Sequence, residues 1–172
     1  MSTIGFIGYP GTGKDAIAQR LIEVFGYERI AFGDPVKEAL LTIDPEYLGN
    51  RDVLERHKRE NKTWTREKLQ NLGQFLRDLD PDHWVKAIEK IGIPQRAVFT
   101  DIRYANELHY VQRNCGGLIF AIHRDGHGAV NGHQSEVNTG KLISYADHII
   151  HNNSTIDEAA EEIISYVRNR RL

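Results

Sequence analysis

Residues 8–15 read Gly8-Tyr9-Pro10-Gly11-Thr12-Gly13-Lys14-Asp15, "GYPGTGKD", and how this stretch is read decides the fold. It fits the first seven places of G-x-x-x-x-G-K-[ST], a loop whose backbone amides cradle a phosphate. At the eighth place it puts an aspartate where a magnesium-binding hydroxyl belongs. Before it, "TIGFIG" (3–8) is a short apolar strand ending in glycine; after it, Ile17, Leu21, Val24 and Phe25 recur at helical spacing over 14–25. Strand, glycine-rich turn and helix form the context that such a loop requires. Gly8, Gly11 and Gly13 permit the turn, the helix start favours an anion, and Lys14 can reach the β- and γ-phosphates of a nucleotide.

Asp15 has three readings. It is a decayed position, or a carboxylate that holds Mg²⁺ through a bound water, since Mg²⁺ keeps several waters and takes few carboxylates. It also suits a helix start without any ligand. The residues around Lys14 leave all three open.

Outward from the loop, strands and helices alternate. "YERIAF" (27–32) is a second strand, and "GDP" (33–35) turns it into a helix to about Leu41. Residues 51–60 form a charged, weakly amphipathic, exposed helix. A stronger helix begins at Thr65 with Leu69, Leu72, Leu76 and Leu79 on one side; "DPDHW" (80–84) interrupts it, and another covers roughly 82–91. "AVFTDI" (97–102) is a strand followed by a helix over 104–114, and "GLIFAIH" (117–123) is the fourth strand. Residues 124–141, rich in Gly, His, Asn and Ser, read as a mobile loop. "ADHIIHN" (146–152) is the fifth strand, and Thr155-Ile-Asp-Glu158 caps a last helix. The pattern predicts an α/β layer fold with a mainly parallel five-stranded sheet, whose ligands bind at the carboxyl ends of the strands.

Further chemistry falls at those ends. Asp101 ends an apolar strand, where a second carboxylate can orient magnesium or its waters; Arg103, two residues on, can clamp a phosphate through two hydrogen bonds. An ordinary Asp–Arg pair is the bland alternative. Gln70, Gln74 and Arg77 share one helix face, either solvated or reading a base and a phosphate. Arg124 opens the 124–141 loop, where an arginine delivered by closure would stabilise a phosphoryl in transfer. The histidines at 123, 127, 133, 148 and 151 carry no cysteine partners and no HExxH, so they read as solvated residues, not as zinc ligands.

The whole chain sets outer bounds. Its 172 residues suit one domain, with 40% hydrophobic and 27% charged residues. A formal charge of −2 with dispersed Lys and Arg argues against binding nucleic acid polymers. The single cysteine, Cys115, excludes an internal disulfide and points to a reducing compartment. No stretch approaches the ~20 apolar residues that span a bilayer, and no signal peptide is evident. A cytoplasmic protein is expected.

Together these segments resemble the deoxynucleoside monophosphate kinases of bacteriophages. In that family "GKD" (13–15) is the normal loop. "FGDPVKEAL" (32–40), "LQNLGQFLR" (69–77), "HWVKA" (83–87), "TDIRYANEL" (100–108), "HQSE" (133–136) and "ADHIIHN" (146–152) follow in the family's order. The resemblance implies a three-layer, adenylate kinase-like P-loop fold, with a helical monophosphate-binding region at about 34–91 and a lid-like loop at about 124–141. It implies ATP and Mg²⁺, a deoxynucleoside monophosphate acceptor, host cytoplasm, and a homodimer. Gly11, Thr12, Gly13, Lys14 and Asp15 would bind the ATP phosphates. Lys37, Arg77, Trp84, Asp101, Arg103 and Glu107 would line the acceptor pocket, with Gln70 and Gln74 beside them. Arg124 would be the closing-loop arginine.

Phosphomevalonate kinases of the animal type are similar too and would replace the nucleotide acceptor by an isoprenoid phosphate. Dephospho-coenzyme A kinase shares the architecture, but Asp15 counts against it. A nucleotide-binding regulator without transfer would need Lys14 but not Arg77, Arg103 and Arg124.

Overall fold

The protein is described by a computed structural model, which covers residues 2–60, 63–128 and 134–170. It forms two compact units, residues 1–31 with 93–172 and residues 32–92.

The first unit is built on a sheet of five strands: β1 (Ser2–Ile7), β2 (Glu28–Ile30), β3 (Arg96–Phe99), β4 (Leu118–His123) and β5 (His148–His151). Their order is β2-β3-β1-β4-β5, and every pairing is parallel. Parallel strands need covered faces, which accounts for their apolar runs. Alternation along β1 assigns the faces. Ile4 and Phe6 pack with Ile17 and Leu21 of α1 (Lys14–Phe25) and with Ala160, Ile163 and Ile164 of α8 (Ile156–Asn169). Gly5 faces the other way, where a Cβ would meet Ile102, Ile119 and Val111, so this face admits the chain that follows β3. These are the three layers of the expected fold.

Local chemistry places the helix ends. Gly26 closes α1 in the left-handed region at φ 66°, and Thr155 with Glu158 forms the predicted capping box of α8. After β3, α6 (Ala105–His109) runs into a π-helical turn over Tyr110–Asn114. The expected single helix over 104–114 is thus widened at its end, with Cys115 N–H bonded to the Tyr110 carbonyl and both Tyr110 and Val111 buried.

The loop expected over 124–141 is helical in its second half: α7 covers Gln134–Leu142. Thr139 and Leu142 are buried, and Gly140 lies so close to the Tyr9 hydroxyl that a Cβ would sit 2.6 Å from it. Residues 129–133, including His133, lie outside the described residues, as do the side chains of Gln134, Ser135 and Glu136.

The second unit is helical: α2 (Gly33–Ile43), α3 (Arg51–Arg59), α4 (Thr63–Leu79) and α5 (His83–Ile91). Its core joins Leu40, Leu41, Tyr47 and Leu54. The charged helix expected at 51–60 is present as α3 and exposed along much of its length, but Leu54 is 0% exposed and His57 is buried, and Val53 packs partly on the same core. Leu69 and Leu72 pack partly on this core, whereas Leu79 is 70% exposed. Among the described residues, no helix is long and apolar enough to cross a membrane.

Candidate active site

The glycine-rich loop follows β1 and ends where α1 begins. Gly13 is the N-cap of α1 at φ 94° and makes no side-chain cap bond, so nothing at that position occupies the helix's first amides. Gly8 tolerates no side chain, since a Cβ would stand 2.6 Å from the Ile122 carbonyl. Gly11 has φ 81°, and a Cβ there would meet the ring of His127 at 2.5 Å. Thr12 is buried, and its hydroxyl donates to the Tyr9 carbonyl at 3.0 Å. A turn with positive φ at Gly11 and Gly13 that leads into a helix N-terminus has a form suited to phosphate.

Lys14 donates to the Tyr9 carbonyl at 2.7 Å. Burial and the neighbouring Arg103 charge lower its pKa to about 8, against the opposing pull of Asp15 and Asp101. Asp15, Asp101 and Arg103 are thus close enough to Lys14 to act on its charge. Asp101 and Arg103 flank the buried Ile102, whose N–H bonds to the Phe6 carbonyl at 3.3 Å and ties the segment to β1.

Glu107 is 1% exposed. Its carboxylate accepts the N–H groups of Arg103 at 2.8 Å and Tyr104 at 3.2 Å, so it fixes the backbone that presents the Arg103 side chain. Arg124 is exposed at the end of β4, and its carbonyl accepts the His127 N–H at 3.1 Å.

The donor set suits ATP with magnesium. The glycine cradle and Lys14 match polyphosphate, and a pair of carboxylates matches an ion that keeps most of its waters. The Thr100 hydroxyl, next to Asp101, is buried with no hydrogen-bond partner among the described residues. Among those residues no three His, Cys, Asp or Glu side chains are grouped to hold a metal by themselves.

The other candidates belong to the second unit. Lys37 pairs with Asp34 at 2.9 Å and Glu55 at 3.3 Å. Burial pulls its pKa down, but the two carboxylates outweigh that and hold it above the ordinary lysine value. Gln70 is half-buried, and the Gln74 amide donates to Asp78 at 2.7 Å. Arg77 donates to the Gly73 carbonyl at 3.2 Å. The indole N–H of Trp84 donates to that same oxygen at 3.0 Å, and Trp84 is 3% exposed.

Residues that the sequence reading did not select also reach the loop. Asn152, buried at the end of β5, donates from its side-chain amide to the Thr12 carbonyl at 2.8 Å. His127 lies over Gly11, although it reads from sequence as one more solvated histidine. The position of Asn152 at a strand's carboxyl end was the available signal.

No family model matches the chain. A protein of Acanthamoeba polyphaga mimivirus, named a deoxynucleotide monophosphate kinase, is 31% identical over 193 residues, covering 98% of this chain and 97% of that one. Among solved structures, shikimate kinase from Aquifex aeolicus matches with a TM-score of 0.53 over 98% of each chain at 12% identity. That likeness concerns the fold alone, and the fold is the three-layer one of P-loop kinases.

Proposed function

The chain belongs to the deoxynucleotide monophosphate kinases, and from that premise we propose that it transfers the γ-phosphoryl group of ATP to a deoxynucleoside monophosphate, yielding the diphosphate and ADP. The observation that carries this reading is Lys14, held in the glycine cradle with Arg103, Asp15 and Asp101 as its electrostatic neighbours.

Catalysis in such transfers is mostly positioning and charge stabilisation. The loop amides and Lys14 bind the polyphosphate, with the ammonium drawn toward the oxygens of the transferring group. Asp15 and Asp101 would hold Mg²⁺ through its waters, and the bound ion would neutralise charge on the phosphate oxygens. Arg103, its backbone fixed by Glu107, clamps phosphate on the acceptor side. Arg124 supplies a further guanidinium from the turn after β4. Lys37, Gln70, Gln74 and Arg77 of the second unit are the further residues we propose for acceptor recognition. Trp84 serves them by holding the Gly73 carbonyl that Arg77 also uses.

The test is coupled ADP release with Mg-ATP against dGMP, dTMP, dAMP, dCMP, their ribo counterparts and phosphomevalonate. Turnover with one or more deoxynucleotides is expected. Turnover with phosphomevalonate alone would transfer the site to isoprenoid phosphates, and ATP binding without any turnover would leave a regulator.

A further inference from the structure

Two adjacent asparagines after β5 grip two different parts of the nucleotide site, and the proposed reaction assigns neither. Asn152 donates its side-chain amide to the Thr12 carbonyl at 2.8 Å. Its own backbone N–H donates to the His123 carbonyl at 2.8 Å, so its position is set by β4. The same amide nitrogen fills the space that a Cβ on Gly13 would enter. In a trans peptide the C=O and the following N–H point in opposite directions. Holding the Thr12 carbonyl therefore aims the Gly13 N–H away from Asn152.

Asn153 works with the opposite polarity: its side-chain oxygen accepts the Asp125 N–H at 3.0 Å. That N–H shares a peptide with the Arg124 carbonyl, which accepts the His127 N–H at 3.1 Å. The peptide after Arg124 is thus held at both ends. His127 donates from Nδ1 to the Asp125 carbonyl at 3.1 Å, and its ring rests on Gly11.

We propose that Asn152 and Asn153 are positioning residues that hold the phosphate loop and the Arg124 turn in register, Asn152 as a hydrogen-bond donor and Asn153 as an acceptor. The inference rests on the kinase reading, in which the loop takes ATP and Arg124 acts on the transferred group. It separates the two neighbours by chemistry, because aspartate accepts but does not donate.

The experiment compares Asn152→Ala, Asn152→Asp, Asn153→Ala and Asn153→Asp in steady-state kinetics with Mg-ATP and the deoxynucleotide that the wild type uses fastest, each variant checked by thermal melting. Both Asn152 variants should raise KM for ATP about tenfold while KM for the acceptor stays within about twofold. Asn153→Ala should lower kcat about tenfold with little change in KM for ATP, and Asn153→Asp should recover most of that loss. A purely structural role would lower the melting temperature without splitting KM from kcat in this way.

Asn152→Asp with wild-type kinetics, or Asn153→Asp as impaired as Asn153→Ala, overturns the proposal. If the Asn152 variants fail to fold, the Asn153 pair decides it. If the wild type turns over no deoxynucleotide, the acceptor assignment falls by itself. Calorimetry with ATP then decides the inference: about tenfold weaker binding to Asn152→Asp with unchanged binding to Asn153→Asp supports it, and equal binding to both overturns it.

Discussion

The ammonium of Lys14 lies 2.7 Å from the carbonyl oxygen of Tyr9, so the loop is closed by the same side chain that we propose meets the phosphates. It also lies 3.5 Å from the Thr12 hydroxyl. The lysine is therefore set in place before a nucleotide arrives, and little side-chain freedom remains to be lost on binding.

That placement makes activity sensitive to pH. Burial, with help from the Arg103 charge, lowers the Lys14 pKa from 10.5 to about 8, so the free enzyme loses this positive charge as pH rises through that value. The kcat/KM for ATP reports ionisations of the free enzyme and should fall above pH 8. In Lys14→Arg, whose guanidinium stays charged, the falling limb should vanish even though overall activity is reduced. A profile for the wild type that stays flat to pH 9.5 would contradict the electrostatic environment assigned to Lys14.

Glu107 should act through Arg103. Its buried carboxylate accepts two successive backbone amides, and Glu107→Ala leaves both without it. We expect kcat/KM for the acceptor to fall by about one to two orders of magnitude in Glu107→Ala. Glu107→Gln, which keeps one acceptor oxygen, should recover much of the loss. Steady-state kinetics on both variants checks this; equal impairment would mean that the negative charge itself, not the bonds to the backbone, is what matters.

The α/β frame was legible because its signals are local. The apolar run of β1, the glycines at 8, 11 and 13 and the Thr155–Glu158 box each lie within a few residues. The candidates Lys14, Asp15, Asp101 and Arg103 were nominated by equally local signals, the first two at the start of α1 and the others just past β3. The bond from Asn152 to Thr12 spans 140 residues, and no spacing within either segment announces it. Likewise the approach of Gly140 in α7 to Tyr9 joins distant segments, while composition alone spoke for a loop. The burial of Leu54 needed the partners Leu40, Leu41 and Tyr47, which come from other segments.

Trp84 offers a choice between stacking on a base and supporting the helix that carries Arg77. Its burial and its bond to Gly73 favour support. Trp84→Phe removes the N–H while Arg77 still reaches that carbonyl, so the cost should be about 1 kcal/mol, or roughly 2–4 °C in melting temperature for a chain of this size. KM for the acceptor should change less than about threefold. An unchanged melting temperature with a tenfold rise in that KM would return Trp84 to a stacking role.

Leu54 and Leu79 test the core of the second unit. The charged segment "RDVLERHKR" holds Leu54 at 0% exposure, while Leu79 closes the leucine series of α4 at 70%. Removing a buried leucine side chain forfeits its transfer free energy and leaves a cavity, so Leu54→Ala should cost about 2–5 kcal/mol. Leu79→Ala removes atoms already in water and should change stability by no more than about 0.5 kcal/mol. Urea unfolding of both variants measures the difference. A cost at Leu54 as small as that expected for Leu79 would mean that α3 is the exposed helix that its charge suggests.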